Sequence, residues 1–162
     1  MQLTQKERTL LQDALSHEKV CIQKYQNYAQ QTQDPGLKQL LNQYASQEQQ
    51  HYDTINQMLQ GQQPNMSSSS GQQSQSQPQA MQGVSMQQQQ RGVTIPNQQD
   101  AMMLNDLLMT EKYVSSVYDT AIFESVNSTI RQNLQHIQKE EQQHGEGLFN
   151  YMQQHGMYNV QG

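Results

Sequence analysis

Glu48-Gln49-Gln50-His51 and Glu141-Gln142-Gln143-His144 repeat the same four letters at an offset of 93 residues. What surrounds them decides the fold. Glu48 stands seven residues from both Leu41 and Ile55, and Glu141 seven from both Leu134 and Leu148. A step of seven nearly preserves the face of an α-helix, so each glutamate lies inside an apolar helical stripe. Upstream, Glu18 stands seven from Leu11 and Tyr25, and Glu111 seven from Leu104 and Tyr118. The same offset joins Leu11 to Leu104, Glu18-Lys19 to Glu111-Lys112, Tyr25 to Tyr118 and Leu41 to Leu134. A fixed offset of this kind marks two copies of one supersecondary unit.

Each copy reads as a helical hairpin. Thr4 and Glu7 have the spacing of a capping box at the start of a first helix. Leu11, Ala14, Leu15, Cys21, Ile22, Tyr25, Tyr28 and Ala29 then recur at three- and four-residue steps. Asp34-Pro35-Gly36 ends that helix and opens the next, with aspartate as cap and proline at the first helical position. Leu37, Leu40, Leu41, Tyr44, Ile55, Met58 and Leu59 carry the pattern to Gly61. In the second copy Met103, Leu104, Leu107, Leu108, Val114, Tyr118, Ala121 and Ile122 form one stripe, broken near Asn127-Ser128. Ile130, Leu134, Ile137, Leu148, Tyr151 and Met152 form the next, which closes at Gly156. The expected fold is all-α, with four helices of about 25 residues, each roughly 40 Å long.

The boundaries follow from composition. Hairpins are expected over 1–60 and 98–156, with a tail at 157–162. Between them, residues 61–95 hold 12 Gln, 7 Ser and one charge, Arg91. Such a segment buries too little apolar area to offset its ordering entropy, so 61–97 is expected to be a flexible crossover. Its r.m.s. span, on the order of 33 Å, is comparable with the bundle length.

The whole chain has 162 residues, 33% hydrophobic, 14% charged and 37 Gln, with a net charge of −5. A pI near 5.4 gives no electrostatic reason to bind nucleic acid. The single cysteine, Cys21, excludes an internal disulfide framework and a cysteine-based zinc site. No apolar run approaches the ~18 residues of a membrane span. The first residues have no apolar stretch behind them, so no signal peptide is expected and synthesis is placed in a reducing cytosol.

Charges are scarce, so charges within an apolar stripe are informative. Glu18 and Glu48 are 30 residues apart around the first turn, and Glu111 and Glu141 are 30 apart around the second. An antiparallel bundle therefore brings all four carboxylates to one level. His51 and His144 lie one turn beyond a glutamate on the same side. Four ionised carboxylates buried alone would be severely unstable. Two divalent cations balance their charge, with two neutral imidazoles completing the set. This is the ligand pattern of ferritin-like dimetal bundles, in which the ions sit about 3.5–4 Å apart. A mixed oxygen and imidazole shell suits iron or manganese. The other reading is a protonated or water-bridged polar layer without metal. Without metal the carboxylates are expected to crowd and their pKa values to rise.

The run Leu104-Asn105-Asp106-Leu107-Leu108-Met109-Thr110-Glu111-Lys112-Tyr113-Val114, with Tyr118 and Glu140-Glu141-Gln142-Gln143-His144, resembles the spore coat F family of endospore-forming bacteria. The likeness is best over 98–155, and 1–60 resembles a weaker copy. It implies a ferritin-like domain, a place in the spore coat, synthesis in the mother-cell cytoplasm and other coat proteins as partners, with self-association open. Glu18, Tyr25, Glu48-x-x-His51, Glu111 and Glu141-x-x-His144 are also similar to the dimetal pattern of bacterioferritins and rubrerythrins. That likeness implies that Glu48 and Glu141 bridge the metals while Glu18 and Glu111 cap them. The rubredoxin module of rubrerythrins is not in this sequence.

Two functions are carried forward. One is a structural and assembly protein of the spore coat, whose neutral glutamine-rich surface suits packing against neighbours. The other is a dimetal oxidoreductase acting on peroxide, oxygen or ferrous iron. The crossover is either a glutamine donor for cross-linking to lysines or an inert tether. Tyr25 and Tyr118 are either redox-active tyrosines near the metals or core packing, and a heptad's rise of roughly 10 Å favours packing. Cys21, one turn from Glu18, is either a metal contact or, as expected, a small buried packing residue. His17, His136 and His155 are expected to be solvated or capping groups, and Glu140 a surface charge.

Overall fold

A computed structural model describes residues 2–64 and 98–158. Most of the expected crossover, 65–97, and the end of the tail, 159–162, lie outside the described residues. The described residues form four helices: α1 (Gln5–Gln31), α2 (Pro35–Leu59), α3 (Gln98–Glu124) and α4 (Ser128–Gln154). α1 packs on α2 and α3 on α4, giving two hairpins, and α1·α3 and α2·α4 contacts join them. This is the all-α four-helix bundle that the two apolar repeats imply.

The helix ends follow from side-chain chemistry. Asp34 caps α2 by accepting from the Leu37 N–H at 2.7 Å, and Pro35 takes the first turn. Asn127 caps α4 by accepting from the Thr129 N–H at 2.8 Å. Gly61 and Gly156 follow α2 and α4 with φ of 78° and 68°, the left-handed region where glycine avoids a Cβ clash.

Glu7 does more than complete the capping box with Thr4. One of its oxygens accepts from the backbone N–H of Thr4 at 2.8 Å. The other accepts from the N–H groups of Val126 and Asn127, at 2.9 and 2.8 Å. One carboxylate thus ties the start of α1 to the α3–α4 turn. Burial opposes its ionisation, but the Asn127, Thr4 and Val126 donors outweigh burial and hold its pKa below the ordinary glutamate value. Its stabilising effect is therefore present above that ordinary value and lost as pH falls through the folded one. Glu7→Ala is expected to cost about 2–3 kcal/mol at neutral pH. Urea unfolding at pH 7 and pH 3 checks this, and the penalty should shrink at pH 3.

The core consists of two apolar clusters. One gathers Leu11, Ala14, Ile55, Met58, Ala121, Ile130 and Leu134 with Tyr118. The other gathers Ala29, Leu37, Leu41, Leu104, Leu107, Leu148 and Met152 with Tyr25. Between them lie the buried glutamates and histidines of the mid-helix layer. Along the outside, Lys6 pairs with Glu124 and Lys24 with Asp106, which sets α1 and α3 antiparallel.

Candidate metal centre

Glu18, Glu48, His51, Glu111, Glu141 and His144 come from four helices and are all buried, none more than 2% exposed. They form two overlapping groups, each with ligand atoms within 4.8 Å of one another. The groups are Glu18, Glu48, His51 and Glu141, and Glu48, Glu111, Glu141 and His144. Either group could hold a metal ion. Glu48 and Glu141 belong to both. The Nδ1 atom of each histidine faces the carboxylates: His51 lies 3.1 Å from Glu141 and 3.6 Å from Glu18 and Glu48. His144 lies 2.9 Å from Glu48 and 3.7 Å from Glu141.

The layer is under-satisfied by protein alone. One oxygen (Oε2) on each of Glu18, Glu48, Glu111 and Glu141 is buried with no hydrogen-bond partner. Native interiors rarely leave such atoms unpaired, and four in one layer are a heavy load. Carboxylate oxygens and imidazole nitrogens are suitable donors for iron or manganese. The residues present in each group therefore fit a divalent metal ion.

Around the six sits a ring of orienting groups. The Tyr25 hydroxyl donates to Glu111, and the Tyr118 hydroxyl donates to Glu18. Both tyrosines belong to the core, as expected, yet their hydroxyls also reach the site. Seven residues along one helix is about 10 Å of rise, which by itself favours packing over contact with the site. Helical side chains lean toward their own N-terminus. Because α1 and α3 are antiparallel, Tyr25 and Glu111 lean toward each other, as do Tyr118 and Glu18.

Glu140 corrects the sequence reading more plainly. Its side chain is only 19% exposed, and it accepts a hydrogen bond from His51 Nε2 at 2.8 Å. It is a partner of the site rather than a surface charge. The equivalent atom of His144 donates to the Gln47 side-chain oxygen at 3.1 Å. Tyr44 lies against His144 with ring centres 4.4 Å apart and planes tilted by 34°, and Gly147 leaves room for the Tyr44 hydroxyl, which an added Cβ would overlap.

Electrostatics in the layer divide the carboxylates. Burial pushes Glu18 and Glu111 well up, and neighbouring carboxylates add to this, Glu141 and Glu48 for both. Glu141 departs from the expected rise. Burial opposes its ionisation, but hydrogen bonds from His144 and His51 hold its pKa far below the ordinary value. Burial works against charging His51, but Glu140, Glu141, Glu18 and Glu48 reverse this and raise it well above an ordinary histidine. His144 is raised likewise by Glu141 and Glu48. Burial and crowding thus favour the protonated forms of Glu18, Glu111, His51 and His144 when no metal is bound.

The remaining candidates lie elsewhere. Cys21 is fully buried in the core, and burial pushes its thiol far above the usual range, so it stays a neutral packing group. His17 packs edge-on against Tyr113. His136 lies 3.5 Å from Glu140 and so extends the outer ring rather than standing free in solvent. His155 caps α4, its Nδ1 donating to the Tyr151 carbonyl at 2.8 Å, as its position at a helix C-terminus suggests.

Two comparisons with known proteins bear on this bundle. The uncharacterized protein YusN of Bacillus subtilis (strain 168) is 37% identical over 62 residues, which are 38% of this chain and 56% of YusN. The chain thus matches little more than half the length of that relative. The Coat F domain family model matches residues 6–62 and again 99–161, one match on each hairpin. Together these matches cover most of the sequence and suggest a spore coat protein, and the chain belongs to the Coat F family.

Proposed function

We propose that this chain is a spore coat protein whose ferritin-like bundle holds two divalent metal ions, iron or manganese. Glu18, Glu48, His51, Glu111, Glu141 and His144 hold them, with Glu48 and Glu141 shared between the two positions. The observation that carries this reading is the pair of overlapping Glu/His groups with four orphaned carboxylate oxygens. A bound metal would give those oxygens a partner and would compete with the protons held there.

Family membership supports placement in the spore coat, after synthesis in the mother-cell cytoplasm, among other coat proteins. No helix among the described residues is long and apolar enough to cross a membrane. The outer face of α3 supports assembly: Met102, Met109 and Tyr113 lie on one side of the helix at 68%, 69% and 60% exposure. Phe123, 83% exposed, continues toward the turn. A row of large apolar side chains facing solvent is a surface suited to protein contact. The glutamine-rich connector, outside the described residues, is proposed as a further point of attachment.

A second reading, a dimetal oxidoreductase, is favoured by Tyr25 and Tyr118. Their hydroxyls contact two proposed ligands and hold protons beside the centre. A pair of such ions supplies redox chemistry toward dioxygen, peroxide or ferrous iron. The two readings are compatible in one protein.

Elemental analysis tests the metal reading. Chain loaded anaerobically with iron or manganese and then desalted is expected to retain close to two ions. The Glu48→Ala/Glu141→Ala variant is expected to retain almost none. Retention well below one ion per chain by the unaltered protein would show the site to be a metal-free polar layer.

A further inference from the structure

The two halves of the centre are built from equivalent repeats, but their surroundings differ at several places, two of which bear on charge and access. At the offset of 93, Glu140 in α4 corresponds to Gln47 in α2, and Gly145 corresponds to Tyr52. Both differences fall around the metal-facing residues. His51 is backed by the Glu140 carboxylate at 2.8 Å, whereas His144 is backed by the neutral Gln47 amide at 3.1 Å. A carboxylate behind a ligating imidazole raises its basicity and fixes its orientation, and losing such a partner typically weakens metal binding by about 10–100-fold. A neutral amide orients the ring without adding charge.

The second difference concerns access. A groove of about 360 Å³ runs between α3 and α4, lined by Glu111, Lys112, Glu141, Gln142 and Gly145 among others. It touches Glu111, which belongs to the His144 half, and Glu141, which both halves share. Of the six proposed ligands only Glu111 and Glu141 line it; Glu18, Glu48, His51 and His144 do not. Gly145 puts no side chain into it at this level; an added Cβ would make ordinary contact with Leu108 and Glu111, at 3.8 and 3.9 Å. At the matching place on α2 stands Tyr52, a half-buried phenol ring.

Charge and access thus point the same way. We propose that the two metal positions are unequal. The Glu18–His51 position, backed by Glu140, holds a resident ion. The Glu111–His144 position, backed by Gln47 and open to the groove, holds an exchangeable ion and admits a small anionic or diatomic ligand. The inference rests on the metal reading above and assigns Glu140, Gln47 and Gly145 as positioning residues.

Cobalt(II) is the probe, titrated anaerobically into the metal-free full chain and followed by visible absorption and calorimetry. Two steps are expected, with dissociation constants at least tenfold apart. Glu140→Gln should weaken the first step by about 10–100-fold and leave the second nearly unchanged. Gln47→Glu should tighten the second step and leave the first. Azide should shift the spectrum of the two-cobalt protein but not that of the one-cobalt protein. Two equal steps in the unaltered chain would overturn the proposal. So would a first step indifferent to Glu140→Gln, or azide binding at the first ion. Failure to bind cobalt at all would instead remove the metal reading on which the proposal stands.

Discussion

Saturation with iron(II) or manganese(II) is expected to raise the unfolding midpoint of this bundle by roughly 15–25 °C at pH 7.5. An ion present at a hundred times its dissociation constant stabilises the folded state by about 2.7 kcal/mol, so two such sites give about 5 kcal/mol. At about 3–5 °C per kcal/mol for a bundle of this size, the shift is of that order. Its pH dependence is the sharper test. Glu18 and Glu111 carry raised pKa values when no metal is bound, and so do His51 and His144. A group whose folded value is raised contributes stability that is complete below its unfolded value and lost as pH rises through the folded value. The glutamates therefore lose their contribution from about pH 4.3 upward, and the histidines from about pH 6.5 upward. Glu141, held low, acts oppositely, and only in acid below the ordinary glutamate range. The metal-free protein should thus lose stability between pH 5 and pH 8. Metal binding strengthens over the same interval because the ligands must shed protons. The gap between loaded and metal-free midpoints, read by circular dichroism or calorimetry, should widen as pH rises. Parallel curves would show that metal does not enter the protonated layer.

How much of this was legible beforehand depended on whether a signal ran along one helix or between two. Glu18, Glu48, Glu111 and Glu141 were visible because each interrupts an apolar stripe at a step of seven, a pattern local to its own helix. Asp34-Pro35 and Asn127 announced the turns by their chemistry, and Gly61 and Gly156 the helix ends. Glu140 was hidden because it sits one position off the seam. Its role comes from His51, 89 residues away, whose ring points Nε2 outward. The offset of 93 held the clue, because it pairs Glu140 with Gln47, two residues able to accept the same hydrogen bond. The tyrosine hydroxyls were missed for a different reason. Rise along one axis says nothing about side chains that lean toward each other from antiparallel neighbours. The clasp from Glu7 to the α3–α4 turn has no sequence signature beyond its capping box, since the donors to its carboxylate are backbone N–H groups of another hairpin.

Removing half of the acidic layer together with its partners should make the metal-free protein more stable. The variant is Glu18→Met/Glu111→Met/Tyr25→Phe/Tyr118→Phe. Each methionine nearly preserves the volume of the glutamate it replaces, and each phenylalanine removes a hydroxyl that would otherwise lose its acceptor. Deleting both members of a buried polar pair avoids the penalty of a lone orphan, whereas deleting one incurs it. Replacing buried ionisable groups by well-packed apolar ones is often stabilising, by about 1–4 kcal/mol. Two of the four orphaned carboxylate oxygens disappear with these substitutions, so a gain of about 2–4 kcal/mol in urea unfolding is expected. The single variant Glu18→Met keeps Tyr118 and should fall below the quadruple variant, because its hydroxyl is then buried without an acceptor. Neither variant should retain two ions. A layer whose removal stabilises the fold and abolishes metal retention is a binding site that the bundle tolerates at the expense of stability. If the quadruple variant instead unfolds more easily than the metal-free parent, the glutamates and tyrosines serve the fold itself. The proposed centre would then lose its main physical argument, which is that buried carboxylate oxygens without partners are too unfavourable for the fold to keep for its own sake.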